Sequence, residues 1–149
     1  GKRLVKTPKL YFVDSGLACR LAGIRDRESL DRSPFRGALF EGAVAAEIIK
    51  ARLNRGLDRS LYYFRDRQGL EVDFVVDRGN LRLSLIEAKA TETPRPGDAT
   101  ALKRLSNAVD RFAADSAVVH QGTEAIRSAL SPGVEAIPIT SRWVERWVV

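Results

Sequence analysis

The chain has 149 residues, a length that suits one domain with its own hydrophobic core. Apolar residues make up 44% of it, which excludes a disordered chain, and no apolar run approaches the roughly 18 residues that a membrane helix needs. The formal charge is +6, and the single cysteine and single histidine, Cys19 and His120, exclude an internal disulfide and leave little room for a zinc site.

The basic excess is concentrated in residues 1–36, which hold nine Lys and Arg against four Asp and Glu. Such an end suits either contact with a phosphate backbone or a solvated linker to a missing upstream domain. The chain contains no methionine, which predicts that it is a piece of a longer protein. It shows no signal-peptide pattern, and a lone cysteine is typical of a reducing compartment. We therefore expect a cytoplasmic protein that does not engage a membrane.

The first predicted elements are short. Residues 8–14 (PKLYFVD) indicate a strand, and residues 15–23 indicate a helix that Gly23 closes. Residues 24–36 are charged and contain a Ser-Pro pair, so we expect a loop there. Apolar residues then recur at three- and four-residue steps, which predicts a helix at 37–53.

The remainder predicts a sheet with helical connections. We expect strands at 61–65, about 70–77, about 81–90, 116–120 and 134–139. We expect helices at 99–113, with Asp98 as N-cap, and at 123–130. In the tail, Trp143 and Trp147 are spaced as on a helix, and we interpret them as core-covering aromatics. The central order is α–β–β–β–α–β, an α/β fold with a mixed sheet flanked by helices.

The sequence EVDFVVDRGNLRLSLIEAKA, residues 71–90, places charge inside an apolar hairpin. Side chains two apart on a strand share a face, so Glu87 and Lys89 point the same way, as do Glu71 and Asp73. Charges are seldom placed at the centre of a sheet without a task.

The turn decides whether the two pairs meet. If residues 78–80 form a three-residue loop, with Gly79 or Asn80 left-handed, Asp77 pairs with Leu81 and all four charged groups share one face. A two-residue loop would put Asp73 on the opposite face. We expect the 78–80 turn or a bulge to set the register that brings Asp73, Glu87 and Lys89 to one side, and a site on one face of the sheet fails if Asp73 lies on the opposite face from Glu87.

Clustered carboxylates repel each other unless a positive group lies between them. Oxygen ligands favour Mg²⁺ or Mn²⁺, and a metal-bound water beside an ammonium is a suitable nucleophile for a phosphodiester. The spacing D-x13-E-x-K, from Asp73 through Glu87 to Lys89, therefore predicts a metal, a water and a lysine directed at a phosphate. The alternative is an ordinary surface salt bridge, because E-x-K on its own is very common.

This order of elements and the D…E-x-K hairpin resemble the PD-(D/E)XK nuclease superfamily, which includes restriction endonucleases and Holliday-junction resolvases. The resemblance implies a restriction endonuclease-like αβββαβ core, with Asp73, Glu87 and Lys89 in the site. In that superfamily a preceding helix often supplies another acid, and GALFEGAVAAEI (37–48) carries Glu41 in the matching place. A helical wheel makes Glu47 the alternative, since Glu47 falls within the apolar arc. We rank Glu41 first and expect Asp73, Glu87 and Glu41 as metal ligands.

A second resemblance covers almost the whole chain. The blocks KTPKLYFVDSGLACRLAG, GALFEGAVAAEI, YYFRDRQGLEVDFVV and IEAKAT are similar to the C-terminal domain of a large prokaryotic family of AAA+ ATPases. This implies that residues 1–36 join a missing ATPase module to a nuclease-like domain at 37–149. No P-loop motif occurs, so we expect no ATP site in these residues.

Three functions follow from these patterns. The first is a metal-dependent nuclease or DNA-processing domain, for which Arg65 and Arg67 are weak candidates for contact with phosphate. The second is a nuclease fold that binds nucleic acid without cutting it. The third is a protein-interaction module for the ATPase, favoured by the balanced charge of residues 61–149. We expect His120 to be a partly buried polar group rather than a ligand, and Cys19 to pack within a helix.

Overall fold

The computed structural model describes residues 8–123, 130–139 and 142–148. Its helices are α1 (Ser15–Leu21), α2 (Arg27–Asp31), α3 (Arg36–Leu53), α4 (Thr100–Ala108) and α5 (Trp143–Trp147). Its strands are β1 (Leu61–Arg65), β2 (Glu71–Asp77), β3 (Arg82–Lys89), β4 (Ala113–His120) and β5 (Val134–Pro138). None of the described helices is long and apolar enough to cross a membrane.

The five strands form one mixed sheet in the order β1-β2-β3-β4-β5. The first three strands are an antiparallel meander, while β4 runs parallel to β3 and β5 runs parallel to β4. The parallel step from β3 to β4 passes through α4, as a crossover connection requires. The predicted α/β fold with a mixed sheet and flanking helices is confirmed.

Helices cover both faces of the sheet. On one face α3 and α5 pack in a cluster that includes Val44, Ile48, Phe74, Ile86 and both tryptophans. On the other face α4 packs Leu102 and Leu105 against Val72, Leu85 and Val118. Trp143 and Trp147 are each 4% exposed, which confirms that they belong to the core.

The helix α3 begins one residue before its predicted start and ends at the predicted residue. It contains no proline and is rich in alanine, which favours a helix of this length. Its apolar side, with Val44 and Ile48 fully buried, lies against the centre of the sheet. This packing holds the first turns of α3 beside the hairpin of β2 and β3.

The prediction of a strand at 8–14 is wrong. The segment is irregular and, among the described residues, pairs with no strand. Lys9 and Tyr11 turn towards α3 and β2, whereas Leu10 and Phe12 are exposed. Burial alternates along residues 8–12 as in a strand, but the inward side chains meet other side chains rather than a neighbouring backbone.

Two further boundaries differ because local caps compete with periodicity. Within the expected loop 24–36, Asp26 accepts a hydrogen bond from the Ser29 amide at 2.8 Å and begins α2. Asp98 does not cap α4; its carboxylate accepts from the Arg95 amide at 2.7 Å within a 3-10 turn at Pro96–Ala99.

The predicted helix at 99–113 is too long. It ends at Ala108, and Phe112 is 37% exposed, so the apolar stripe predicted through Phe112 does not extend that far on the helix. The strand β4 accordingly begins at Ala113, earlier than predicted. Of the helix predicted at 123–130, residues 124–129 lie outside the described residues. The division of the chain at residue 36 stays a prediction.

Candidate active site

The hairpin of β2 and β3 has a longer turn than expected. Asp77 lies opposite Leu83 rather than Leu81, and Gly79, Asn80 and Leu81 all have positive φ. The register differs from the predicted one by two residues, so each side chain of β3 keeps its predicted face. The position opposite Asp73 becomes that of Glu87.

A β-bulge at Asp73 changes the face argument. On β1, Tyr62 pairs with Val75 and Phe64 pairs with Val72. Two residues of β2, Asp73 and Phe74, therefore lie opposite the single residue Tyr63 of β1. Val72 therefore packs on the α4 side, while Phe74 packs on the α3 side. The bulge turns Asp73 towards α3 as well, where it meets Lys9.

Glu87 and Lys89 lie on the α4 side of the sheet, opposite to Asp73. They alternate with Ile86, which packs beneath α3, and Glu87 is in register with Val118, which packs beneath α4. The prediction that all four charged groups share one face is therefore wrong, and a site confined to one face of the sheet fails with it. The physical reason is the extra residue in β2, which reverses the side of Asp73 relative to an unbroken strand.

The Asp73 carboxylate nevertheless reaches the plane between the two strands. Its Oδ2 accepts a hydrogen bond from the Ala88 amide at 3.0 Å, at the point where regular pairing of β2 and β3 has ended. The charge of Asp73 acts on both Glu87 and Lys89 and raises the pKa of each. Asp73 thus joins the residues of the two faces through the end of the sheet.

The helix acid that reaches this point is Glu41. Lys9 Nζ lies 2.9 Å from Glu41 Oε1 and 3.3 Å from Asp73 Oδ1, so the two carboxylates contact one ammonium. Glu47 instead lies 3.7 Å from Lys50 on an exposed part of α3. The structure therefore brings Glu41, and not Glu47, to Asp73.

Lys9, Tyr11 and Glu71 join the site, although none of them was among the expected site residues. Lys9 lies 2.7 Å from Glu71 Oε1, and the Tyr11 hydroxyl donates to Glu41. The inward alternation of Lys9 and Tyr11 was the only local signal for their placement. Their partners are 30 to 64 positions away in the chain, beyond the reach of any spacing rule.

Glu87 is the most constrained acid. Burial, followed by the charge of Asp73, raises its pKa from 4.5 to about 7, although Lys89 opposes the change. Lys89 Nζ donates to Glu87 Oε1 at 2.7 Å, while Glu87 Oε2 is buried without a hydrogen-bond partner among the described residues. A buried oxygen of this kind is poised to accept a proton or a cation.

The pKa of Asp73 is also raised. Burial is the main cause and the charge of Glu41 adds to it, whereas the Ala88 amide and Lys9 act in the opposite direction. A carboxyl with a raised pKa in a cluster of acids marks a candidate functional site.

The described residues do not form a ready metal site. No group of three or more His, Cys, Asp and Glu side chains within them is arranged to hold a metal ion. The ammonium of Lys9 lies among the acids instead. The donor chemistry still suits Mg²⁺ or Mn²⁺, because oxygens of Glu41, Glu71 and Asp73 converge on the Lys9 ammonium and carboxylate oxygens are the ligands that these ions prefer.

The two candidate phosphate contacts lie at the turn of the β1–β2 hairpin, where Arg65 adjoins Glu71. Arg65 Nε is 3.6 Å from Glu71 Oε2, and its side chain is 63% exposed. Arg67 is exposed in the turn that follows β1. Both stay predictions as nucleic-acid contacts.

His120 is fully buried rather than partly buried, and burial lowers its pKa. Its Nδ1 accepts a hydrogen bond from the Gly122 amide at 3.0 Å. It lies beside Lys89 in the sheet register but belongs to no metal-binding group among the described residues. Cys19 is half-buried in α1, in keeping with packing.

The backbone around His120 supplies a test of the packing beside the site. A Cβ at Gly122 would lie 2.3 Å from the Glu92 carbonyl oxygen and 2.8 Å from His120 Nδ1, so we expect Gly122→Ala to lower the free energy of unfolding by about 1–3 kcal/mol. Gly37 in α3 has open space around it, so Gly37→Ala should raise that free energy by about 0.5–1 kcal/mol. Urea denaturation measures both, and equal effects of the two changes would contradict this description.

A cavity of about 680 Å³ lies at the opposite end of the sheet and is lined by Arg78, Arg82 and Arg146. Arg78 and Arg82 pair with Asp115, and Arg146 pairs with Glu135. These positive groups are already compensated by carboxylates. The acidic cluster, formed by Glu41, Glu71 and Asp73 around Lys9, is the stronger candidate site.

Comparison with known proteins places the chain in a family without assigning an activity. A family model described as "Domain of unknown function (DUF4143)" matches residues 36–141, well over half of the chain. The chain is 36% identical over 138 residues to the uncharacterized protein Rv2008c of Mycobacterium tuberculosis and, equally, to the uncharacterized protein Mb2031c of Mycobacterium bovis. The match covers 93% of this chain but only 29% of each relative. No solved structure gave a significant match. The chain therefore belongs to the family of domains of unknown function designated DUF4143.

Proposed function

We propose that this domain is a PD-(D/E)XK-like phosphodiesterase that cleaves DNA with the help of Mg²⁺ or Mn²⁺. One observation carries the proposal: Asp73 of β2 shares the Lys9 ammonium with Glu41 of α3, and it also accepts from the Ala88 amide, between Glu87 and Lys89, where the β2–β3 pairing ends. The D…E-x-K spacing and the nuclease resemblance single out these two acids and the Glu87–Lys89 pair. Their convergence in the fold supports the proposal, because their positions in the chain differ by up to 48 residues.

Asp73 and Glu87 would hold the cation, with Glu41 helping directly or through water. When bound, the cation supplies a water of lowered pKa and a positive charge for the phosphate oxygens. Lys89 orients the attacking water and offsets the negative charge that develops on the phosphate. Glu87 places the Lys89 ammonium through their 2.7 Å hydrogen bond.

Cation binding tests the proposal most directly. We expect millimolar Mn²⁺ to bind to the 149-residue chain and to broaden the NMR amide signal of Ala88, whose N–H contacts Asp73. Asp73→Asn should weaken that binding, because it removes a charged ligand and leaves a side chain of the same size. Asp115→Asn serves as the control, since Asp115 is an aspartate that pairs with arginines at the other end of the sheet.

Absence of Mn²⁺ binding at millimolar concentration and of DNA cleavage, both in the wild-type chain and in a variant without the Lys9 charge, would contradict the proposal. Equal Mn²⁺ affinity in wild type and Asp73→Asn would remove Asp73 from the site. In both cases the α/β fold and the family membership stand.

The second candidate is a nuclease fold that binds nucleic acid or a partner protein without cutting. Two observations favour it. The Lys9 ammonium already neutralises part of the negative charge of Glu41, Glu71 and Asp73, which a metal ion would need for binding. Apolar side chains of the N-terminal segment and α1 are exposed, with Leu10 at 92% and Leu21 at 68%, as at a protein contact. An adjoining AAA+ ATPase module, which the sequence resemblance implies, is the partner we propose for this case.

A further inference from the structure

The Lys9 ammonium lies at the centre of the acidic cluster. It is 2.7 Å from Glu71 Oε1, 2.9 Å from Glu41 Oε1 and 3.3 Å from Asp73 Oδ1. The three carboxylates come from α3 and β2, and they converge on one nitrogen. A single positive charge thus lies where carboxylate oxygens from separate elements meet.

We propose that Lys9 is an intramolecular plug, which occupies the cation position of the site and must withdraw before a divalent ion can enter. This inference rests on the proposed function, because it names the regulation of the same carboxylates. An ammonium and a divalent cation cannot both lie between Glu41 and Asp73, since both would contact these two carboxylates and they repel each other. The plugged and the metal-loaded arrangements therefore exclude one another.

Tyr11 provides a second anchor for the plug. Its hydroxyl donates to Glu41, and its ring lies 6.1 Å from the ring of Phe74 in the core. Lys9 also lies 5.3 Å above the ring of Tyr63. The segment is thus held by two alternate side chains, Lys9 and Tyr11, both directed at the acids.

The electrostatics agree with an ammonium that belongs in this place. Burial acts to lower the pKa of Lys9, but its hydrogen bonds to Glu71 and Glu41 raise it more. The charge of Asp73 acts in the same upward direction.

The rest of the segment is held weakly. Leu10 is 92% exposed, Phe12 is 54% exposed and Val13 is 75% exposed. The segment has no strand pairing within the described part of the chain. An open groove of about 720 Å³ lies beside it and extends to Asp73. Few contacts other than those of Lys9 and Tyr11 oppose its departure, as expected of an element that moves.

The test compares Mn²⁺ affinity in wild type, Lys9→Met and Tyr11→Phe by calorimetry. Lys9→Met removes the competing charge and keeps an unbranched side chain, so we expect at least ~10-fold tighter Mn²⁺ binding. Tyr11→Phe preserves every charge and removes only the hydrogen bond to Glu41, so we expect a smaller tightening, of about 2- to 5-fold. Lys50→Met is the matched control, because it removes a lysine paired with Glu47 elsewhere on α3 and should leave the affinity unchanged.

Circular dichroism establishes that each variant is folded. If Lys9→Met does not fold, Tyr11→Phe decides the question. Mn²⁺ affinity that is unchanged in the folded variants overturns the plug, and if the wild type binds Mn²⁺ the proposed nuclease site still stands. Tighter binding in Lys9→Met without DNA cleavage supports the plug and counts against the nuclease. Absence of Mn²⁺ binding in every variant overturns both.

Discussion

Replacement of Lys89 by alanine is expected to lower the rate of DNA cleavage by about 10²-fold or more. Lys89 is the only positive group hydrogen-bonded to Glu87 within the described residues. In the proposed reaction it faces the water and the phosphate, where a positioned charge commonly contributes 10²–10³-fold to the rate. Cleavage of branched and single-stranded DNA with Mg²⁺ or Mn²⁺ measures the effect.

The measurement is made both in the wild-type chain and in the Lys9→Met background, so that the plug does not hide the chemistry. Lys103→Ala is the control: Lys103 lies on α4, where it donates to Ser131 and takes no part in the acidic cluster. Lys89→Arg keeps the charge but changes its shape, so partial activity is expected. Cleavage that proceeds equally fast in Lys89→Ala, with the fold retained, would exclude the role that we assign to Lys89.

If neither the wild-type chain nor the Lys9→Met variant cuts any DNA, the resemblance in fold still holds but the proposed nuclease activity is contradicted. The domain is then best explained as an interaction module. The exposed apolar side chains of residues 10–21 would be the first surface to test against a partner.

The second large effect concerns stability and pH. The pKa of Glu87 is raised from 4.5 to about 7, so between these values the folded protein binds a proton that the unfolded chain has released. Stability from this group is complete below about pH 4.5 and is lost as the pH rises through 7. At ~1.4 kcal/mol for each pH unit, the loss amounts to about 3 kcal/mol at most.

Glu87→Gln should remove this dependence, because an amide stays neutral throughout. At pH 8 we expect the variant to be more stable than wild type by about 1–2 kcal/mol. The gain is smaller than about 3 kcal/mol because the variant loses its charged contact with Lys89. At pH 5 the two should be nearly equal. The difference in the free energy of unfolding between them, measured in urea from pH 4.5 to 8, isolates Glu87 from the other titrating groups.

Glu145→Gln, a change at an exposed glutamate of α5, controls for the loss of one negative charge. Destabilisation of Glu87→Gln at pH 8 would contradict the assignment, since it would mean that the ionised carboxylate stabilises the fold.

The sequence by itself determined the elements that depend on neighbours in the chain. The three- and four-residue apolar repeat of 37–53 specifies α3, because a helix brings such residues to one side whatever they later pack against. The apolar strands around the 78–82 turn specify a hairpin for the same local reason. The order of these elements, with the short connections of a meander and one helical crossover, was enough to predict the mixed sheet.

The spacing of Asp73, Glu87 and Lys89 also placed the candidate site at the end of the hairpin pairing, and this stays a prediction. It did not determine the geometry there. The bulge at Asp73 depends on how β2 meets β1. Polar and apolar residues alternate without a break through residues 71–74, so the sequence of β2 alone does not show the change of side.

Only the tertiary structure decided what neutralises the acids. Lys9 lies 64 positions from Asp73, and their contact exists because α3 and the sheet hold Glu41 and Asp73 apart by the width of one ammonium. The charge pattern showed a basic N-terminal end and acids within a hairpin region of balanced charge. Attraction between charges does not depend on their separation in the sequence, so it does not specify which residues pair. Periodicity therefore determined the elements, whereas long-range packing determined which positive group occupies the site.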